Sequence, residues 1–157
     1  MVIHPKKKTE METEQTFELI DKLSFFDGFS KEEKKYLTTL KSQILKYLPS
    51  DTLITEGELD YSFFILLKGV VRIVKSYPKE MPITKLKAGA VFGEIAFVAP
   101  RTRTTSVIAD GDVVALKIDT RNMDALKPAI IIKLKDKMIQ ILVTRLEAMN
   151  EKAAQSI

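Results

Sequence analysis

The amino-acid sequence predicts an α+β protein that is mainly β, an antiparallel jelly-roll barrel of about eight strands flanked by N-terminal helices and a long C-terminal helix. Short apolar runs separated by turn residues fill the middle of the chain, and no long helical pattern interrupts them. Apolar residues recur at helical spacing on both sides of this region. The length of 157 residues suits one domain. We expect a flexible basic arm at 1–12 and a single domain at 13–157, with helices in 13–42, the β-roll in 43–118 and helices in 120–153.

The N-terminal region has the pattern of two short helices. In the first, apolar residues recur at helical spacing, namely Phe17, Ile20 and Leu23. The pattern breaks at Gly28, and Ser30 followed by Glu33 is typical of a capping box. A second helix is therefore expected to begin after Ser30 and to continue as far as Leu40.

Two turn signals inside the strand region predict hairpins. Lys68-Gly69 joins the apolar runs of "SFFILLKGVVRIVK", and Asp110-Gly111 lies between the runs of "TTSVIADGDVVALKI". A short glycine-containing turn between such runs is typical of strands that pair with each other. We therefore expect a hairpin at each place, and a further turn near Gly89.

The helical period returns after Ile118. The stretch "TRNMDAL" predicts a short helix, and Pro128 suits the first turn of a long one. The predicted apolar stripe of the long helix consists of Ile131, Leu134, Met138, Ile141 or Leu142, and Met149. Such a stripe fits either packing on the barrel or pairing with another chain.

Composition limits the classes of protein to which the chain can belong. The formal net charge of +4 is a mild basic excess that lysines on solvated faces explain. The absence of cysteine excludes a disulfide framework and a thiolate metal site. No apolar run approaches the roughly 20 residues of a membrane helix, and the N-terminus lacks a secretion signal. The sequence therefore favours a cytoplasmic protein without a membrane partner.

One segment of the strand region, "AVFGEIAFVAPRTRTTSVIA", carries chemistry that a plain strand does not need. Gly93 permits close approach of a ligand to the backbone, and the residues after it can form one helical turn whose free N–H groups favour an anion. A guanidinium such as that of Arg103 fits phosphate oxygens. Glu94 would repel a simple anion, but it suits a ligand that also offers a sugar hydroxyl. These residues together predict a nucleotide site.

The same residues resemble the phosphate-binding cassette of the cyclic nucleotide-binding domain family, which includes kinase regulatory subunits, gated channels and bacterial catabolite activators. Phe92-Gly93-Glu94 and Arg103-Thr104-Thr105-Ser106-Val107 fill the family pattern. "LITEGELDYSFFILLKGVVRIV" and "KLKAGAVFGE" are similar to the family's paired strands and to the approach to its cassette. The resemblance covers roughly residues 13 to 150.

The resemblance implies a role for each matching residue. Glu94 would accept a hydrogen bond from the ribose 2′-hydroxyl, and Arg103 would pair with the cyclic phosphate. The N–H groups of Ile95 and Ala96, and the N–H and side chain of Thr104, would complete the phosphate cradle. Gly93 and Thr105 complete the predicted ligand-binding set. The ligand would be cyclic AMP or cyclic GMP, with a slight preference for cyclic AMP, and no cofactor is expected.

The long C-terminal helix has a role in the family as well. There it swings over the pocket, caps the base and often pairs with its twin in a dimer. The side chains best spaced to cap a base here are Thr144, Arg145 and Met149. The partner would be a second copy of the chain or an unknown effector protein.

Some features depart from the family pattern. Proline usually stands directly before the phosphate arginine, whereas Pro100-Arg101 comes two places early. We assign the phosphate to Arg103 because its spacing from Glu94 and the residues after it both fit. Ser50 replaces a frequent turn glycine, which affects stability more than binding.

Other functions receive less support from the sequence. No helix-turn-helix is expected after the long helix, so the DNA-binding half of a catabolite activator is not predicted. No catalytic dyad, dinucleotide fingerprint or Walker loop is found, and we expect no enzyme. A haem or metal site lacks ligands, since His4 is the lone histidine. The alternatives left open are a degenerate jelly-roll interaction protein that binds no nucleotide, in which Glu94 and Arg103 only tie a loop to the barrel, and the sensor fragment of a larger receptor.

Overall fold

Two short helices precede the strands. The computed structural model describes residues 13–40, 43–76, 78–99 and 101–155, so the predicted arm at 1–12 lies outside the described residues. Helix α1 spans Thr13–Asp21, a 3-10 turn spans Ser24–Phe26, and helix α2 spans Lys31–Thr38. The predicted capping box is confirmed: the N–H of Glu33 donates to Oγ of Ser30 over 3.1 Å, and the N–H of Ser30 donates to Oε1 of Glu33 over 2.8 Å.

The strands form an antiparallel β-sandwich. They are β1 Ile44–Tyr47, β2 Thr52–Ile54, β3 Leu59–Asp60, β4 Ser62–Lys68, β5 Val70–Lys75, β6 Met81–Lys87, β7 Val91–Phe92, β8 Arg101–Thr102, β9 Ser106–Ala109 and β10 Val113–Asp119. One sheet has the order β1-β10-β4-β7 and the other the order β2-β9-β5-β6. The predicted mainly β, antiparallel jelly-roll fold is confirmed. The additional pair β3-β8 explains why more strands are found than the eight expected.

The core lies between the two sheets and draws on both. It contains Tyr47, Leu53, Ile54, Phe64, Leu66, Val71, Phe92, Val107, Ala109, Val113 and Ala115. Strand β4 is buried on both faces from Ser62 to Leu67, which explains its continuous apolar run. Phe97 packs edge-on against Phe63 of this strand, with ring centroids 5.8 Å apart. The segment that resembles the cassette is thereby attached to the most buried strand.

Both predicted hairpins were wrong in the same way. Strands β4 and β5 follow each other across Lys68-Gly69 but belong to different sheets, and so do β9 and β10 on either side of Asp110-Gly111. The two turns lie side by side, since the N–H of Asp110 donates to the carbonyl of Val70 over 2.9 Å. Each turn therefore passes the chain from one sheet to the other, as a sandwich requires.

Beyond the strands, a 3-10 segment spans Thr120–Ala125 and helix α4 spans Pro128–Gln155. The chain divides into two compact units after Asn122. Pro128 begins the long helix as predicted. The buried residues of α4 are Ile130, Leu134 and Met138, whereas Met149, assigned to the stripe from sequence, is 66% exposed. No helix within the described ranges is long and apolar enough to cross a membrane.

Candidate functional site

The segment singled out from the sequence links strand β7 to a single helical turn. Strand β7 ends at Phe92, Gly93 turns the backbone with a φ of +72°, and helix α3 spans Ile95–Val98. A side chain at position 93 would meet the Ser62 carbonyl oxygen at 3.0 Å and Nη1 of Arg103 at 3.1 Å. Glycine suits this position because its φ is positive and because a Cβ would crowd the guanidinium and a neighbouring strand.

Arg103 carries a nearly buried charge in this segment. Its side chain is 9% exposed. Nη1 donates to the carbonyl of Gly93 over 3.2 Å, Nη2 donates to the carbonyl of Ser62, and Nη2 lies 3.3 Å from Oδ2 of Asp60. Nε is buried and makes no hydrogen bond to any residue that the structure describes. The site therefore holds a nearly buried cation whose buried Nε–H is not satisfied by the described residues.

Asp60 supplies the negative charge that a buried guanidinium requires. Its Oδ1 accepts a hydrogen bond from the N–H of Ser62 over 2.9 Å, which orients the carboxylate. Its side chain is 24% exposed. The pair of Asp60 and Arg103 joins strand β3 to the loop after strand β8.

The backbone of Arg103 is fixed as firmly as its side chain. Its N–H donates to the carbonyl of Glu58 over 2.9 Å, and its carbonyl accepts from the N–H of Gly57 over 2.8 Å. The next residue, Thr104, accepts a hydrogen bond at its carbonyl from Nζ of Lys75 over 3.0 Å. The loop is thus held from the turn at Gly57 and from the end of β5.

The remaining residues of the predicted set take several positions around this loop. Glu94 and Thr105 are half-buried, Thr104 is exposed, and Ile95 is 50% exposed. Ala96 is buried, and its N–H donates to the carbonyl of Gly93 over 3.2 Å. The structure thus brings Gly93 against Arg103 and engages the Ala96 N–H within the protein.

The other candidate side chains are exposed. Arg101, the alternative phosphate ligand, is exposed on β8, where it pairs in register with Asp60. The predicted base-capping residues Thr144, Arg145 and Met149 are exposed on α4, in the second compact unit.

Sequence reasoning missed the residues that support Arg103 from elsewhere in the chain. Ser62 is 41 positions from Arg103 in the sequence. Asp60 follows the nearby acids Glu56 and Glu58, and no local pattern in the sequence marks it. Close approach of a ligand to Gly93 stays a prediction, and sequence reasoning did not foresee that the Arg103 guanidinium lies next to this glycine.

Comparison with known proteins places the chain in a family. Residues 44–127 match the family described as "Cyclic nucleotide-binding domain". The mouse cyclic nucleotide-gated channel beta-3 is 33% identical over 111 residues, which cover 68% of this chain and 16% of the channel. The human cGMP-dependent protein kinase 2 is 38% identical over 77 residues, which cover 46% of this chain and 10% of the kinase. The chain thus matches only a small part of these relatives.

Among solved structures, a cyclic nucleotide-binding domain from Methylobacillus flagellatus KT is similar over nearly the whole chain. The superposition has a TM-score of 0.65 at 25% identity and covers 92% of this chain and 84% of that one. The family match, the sandwich and the cassette agree with one another. The chain belongs to the cyclic nucleotide-binding domain family.

Proposed function

We propose that the chain is a sensing module that binds a 3′,5′-cyclic nucleotide and transmits a conformational change through its C-terminal helix. The observation that supports this most is the state of Arg103, a nearly buried guanidinium whose Nε has no hydrogen-bond partner among the described residues. A cation held in advance of binding costs little reorganisation when an anion arrives. The intact Glu94 and Arg103 also favour a binding domain over a degenerate interaction protein.

The proposed contacts follow the family pattern residue by residue. Arg103 pairs with the cyclic phosphate, and Glu94 accepts from the ribose 2′-hydroxyl. The main-chain N–H of Ile95 and the N–H and hydroxyl of Thr104 contribute further donors, beside Gly93 and Thr105. The N–H of Ala96 would first have to leave the Gly93 carbonyl, to which it donates over 3.2 Å.

Titration calorimetry with cyclic AMP and cyclic GMP, side by side, tests this function. We expect both ligands to bind, cyclic AMP somewhat more tightly, and linear 5′-AMP to bind more weakly than its cyclic form. Absence of binding by either cyclic nucleotide at about 1 mM, where binding is worth only about 4 kcal/mol, would favour the degenerate interaction protein instead.

The C-terminal helix supplies the output in this proposal. A ligand moves such an element only if it binds better to one of its positions. Thr144, Arg145 and Met149 would cap the base in the bound state. Hydrogen exchange along residues 128 to 150 should slow when nucleotide is added, and truncation near Leu134 should weaken discrimination between adenine and guanine. Unchanged exchange together with unchanged affinity would leave α4 without this role.

The partner of the proposed module is a second copy of the chain. Several large apolar side chains of α4 remain exposed, namely Ile132, Ile139, Val143, Leu146 and Met149. The first four recur with a period of about 3.5 residues, which is typical of a helix that pairs with another helix. An effector protein that contacts the same side chains is the alternative.

A further inference from the structure

Lys75 is not one of the predicted site residues, but it is hydrogen-bonded to the loop that contains Arg103 and Thr104. Lys75 lies at the end of strand β5, and its Nζ donates to the carbonyl of Thr104 over 3.0 Å. The same ammonium lies 3.4 Å from Oε1 of Glu56, in the turn after strand β2. Lys75 therefore joins the loop residue beside Arg103 to a carboxylate elsewhere in the sandwich.

Glu56 is itself held in place, so it can orient the lysine. Its carboxylate accepts hydrogen bonds from the N–H of Ser76 over 3.4 and 3.2 Å. Its own N–H donates to Oγ of Ser106 over 2.9 Å. The side chain of Glu56 is 16% exposed and that of Lys75 is 41% exposed. The ammonium of Lys75 therefore lies beside a carboxylate whose own position is fixed by hydrogen bonds.

The hydrogen bond to the Thr104 carbonyl fixes the orientation of the whole Thr104–Thr105 peptide unit. A peptide unit is planar and trans, so its C=O and N–H point in opposite directions. Holding the carbonyl of Thr104 towards Lys75 therefore turns the N–H of Thr105 to the other side of the loop. The Thr104–Thr105 peptide follows Arg103 directly, and the backbone of Arg103 is fixed by Gly57 and Glu58.

We propose that Lys75, oriented by Glu56, is a positioning residue for the ligand-binding loop. It sets the orientation of the Thr104–Thr105 peptide so that its N–H faces the bound cyclic phosphate. This inference rests on the proposed function, because the cyclic phosphate that the Thr105 N–H contacts is the ligand of that function. Lys75 acts through Thr104 and its charge adds to the attraction for an anion, so its loss should weaken binding without unfolding the protein.

The test compares Lys75→Met with Lys85→Met in the full chain. Lys85 lies on the neighbouring strand β6 and pairs with Asp110 over 2.9 Å. Lys85→Met therefore removes one positive charge, as Lys75→Met does, but without removing a hydrogen bond to the ligand-binding loop. We expect Lys75→Met to bind cyclic AMP about 3- to 10-fold more weakly, and Lys85→Met to stay within about twofold of the wild type. Lys75→Arg, which keeps the charge and the donors, should restore most of the affinity.

A second readout works without ligand. The backbone amide resonance of Thr105 should shift in Lys75→Met and in Glu56→Gln but not in Lys85→Met, while the melting temperatures stay close. Equal affinities of the two methionine variants, or an unmoved Thr105 resonance, would overturn the positioning role. A wild-type chain that binds no cyclic nucleotide would overturn the proposed function and with it the ligand-directed part of this inference, and the Thr105 resonance would still decide whether Lys75 orients the peptide.

Discussion

Among single residues, the buried charge of Arg103 accounts for the identity and position of several of its neighbours. A buried ion lowers stability unless a counter-ion and hydrogen bonds compensate for the lost hydration. Asp60 provides the counter-ion and the carbonyls of Gly93 and Ser62 provide acceptors. Gly93 has a positive φ, and a Cβ there would crowd the guanidinium, so glycine is favoured at this position. These residues form one arrangement, and changing any of them affects the others.

Glu94 should discriminate between sugars if it contacts the ribose. Glu94→Gln replaces a charged acceptor by a neutral one, so affinity for cyclic AMP should fall by about 2- to 10-fold. Affinity for 2′-deoxy cyclic AMP should fall much less, because that ligand has no hydroxyl to donate. Calorimetry with the two ligands on the variant and on the wild type measures this difference. Equal losses for both would show that Glu94 does not contact the 2′-hydroxyl.

Ser50 occupies a backbone conformation that suits glycine. Its φ is +70°, and it is the non-glycine residue with positive φ among those the structure describes. Ser50→Gly should raise the free energy of unfolding by about 0.5–1 kcal/mol, since the strain removed exceeds the added chain entropy. Urea unfolding measures the change. Ser76, whose φ is not positive, is the control, and Ser76→Gly should lower the free energy of unfolding. A lower free energy of unfolding in both variants would show that the backbone at Ser50 is not strained.

At the scale of elements, the sequence predicts strands better than it predicts their partners. The turns at Lys68-Gly69 and Asp110-Gly111 were located correctly because a glycine between two apolar runs is a local signal. The pairing was wrong because a strand's partner depends on which sheet the chain enters after the turn. The capping box of α2 and the start of α4 at Pro128 were predicted, since both depend on adjacent residues.

The 3-10 segment at Thr120–Ala125 begins with a charged pair. The side chain of Arg121 hydrogen-bonds Asp119, over 2.7 Å at the shortest contact, and this bond lowers the pKa of Asp119 below its ordinary value. A lowered pKa stabilises the folded state above the pKa of the unfolded chain, and this stabilisation is lost as the pH falls through the folded value. The pair therefore supports the segment at neutral pH and ceases to do so in acid.

Arg121→Gln should raise the pKa of Asp119 towards its ordinary value. Carbon NMR of the side-chain carboxyl during an acid titration measures it. Asp110 provides the control. A hydrogen bond from Lys85 lowers the pKa of Asp110, and the change at Arg121 should leave that pKa unaffected. An Asp119 pKa that does not move in the variant would contradict the assigned cause.

Helix α4 should pair with a second copy through its exposed apolar side chains. Leu146→Glu places a charge among residues that would be buried in the dimer, so it should shift the sedimentation equilibrium towards monomer by at least about tenfold. Gln140→Glu adds the same charge to an exposed position of α4 outside this set and should leave the equilibrium nearly unchanged. A wild-type chain that sediments as a monomer at all concentrations would favour an effector protein as the partner.

At the scale of the whole molecule, the family and the fold were predictable but the support of the site was not. The cassette is contiguous, so its resemblance to the family pattern picks out Gly93, Glu94 and Arg103. Asp60, Glu56 and Lys75 come from other strands and turns, and their approach to the loop is set by the packing of the sandwich. Only the folded chain shows that Arg103 already has a counter-ion and that its Nε finds no partner in the described part of the chain.

We propose that Arg103, rather than Arg101, receives the cyclic phosphate. Arg103→Ala removes a charge with a side chain that is 9% exposed, whereas Arg101 is exposed on β8. Removing one partner of a buried charge pair costs about 2–5 kcal/mol, which corresponds to roughly 30-fold to a few thousand-fold in affinity. Removing an exposed charge should cost less than about threefold.

Calorimetric titration of cyclic AMP into the wild type, Arg103→Ala and Arg101→Ala is the most direct measurement, with thermal unfolding of each variant to confirm that it is folded. Arg103→Lys keeps the charge but lacks the planar fork, so it should bind at an intermediate level. We predict a large loss for Arg103→Ala and a small one for Arg101→Ala. Equal losses, or wild-type affinity in a folded Arg103→Ala, would contradict the account.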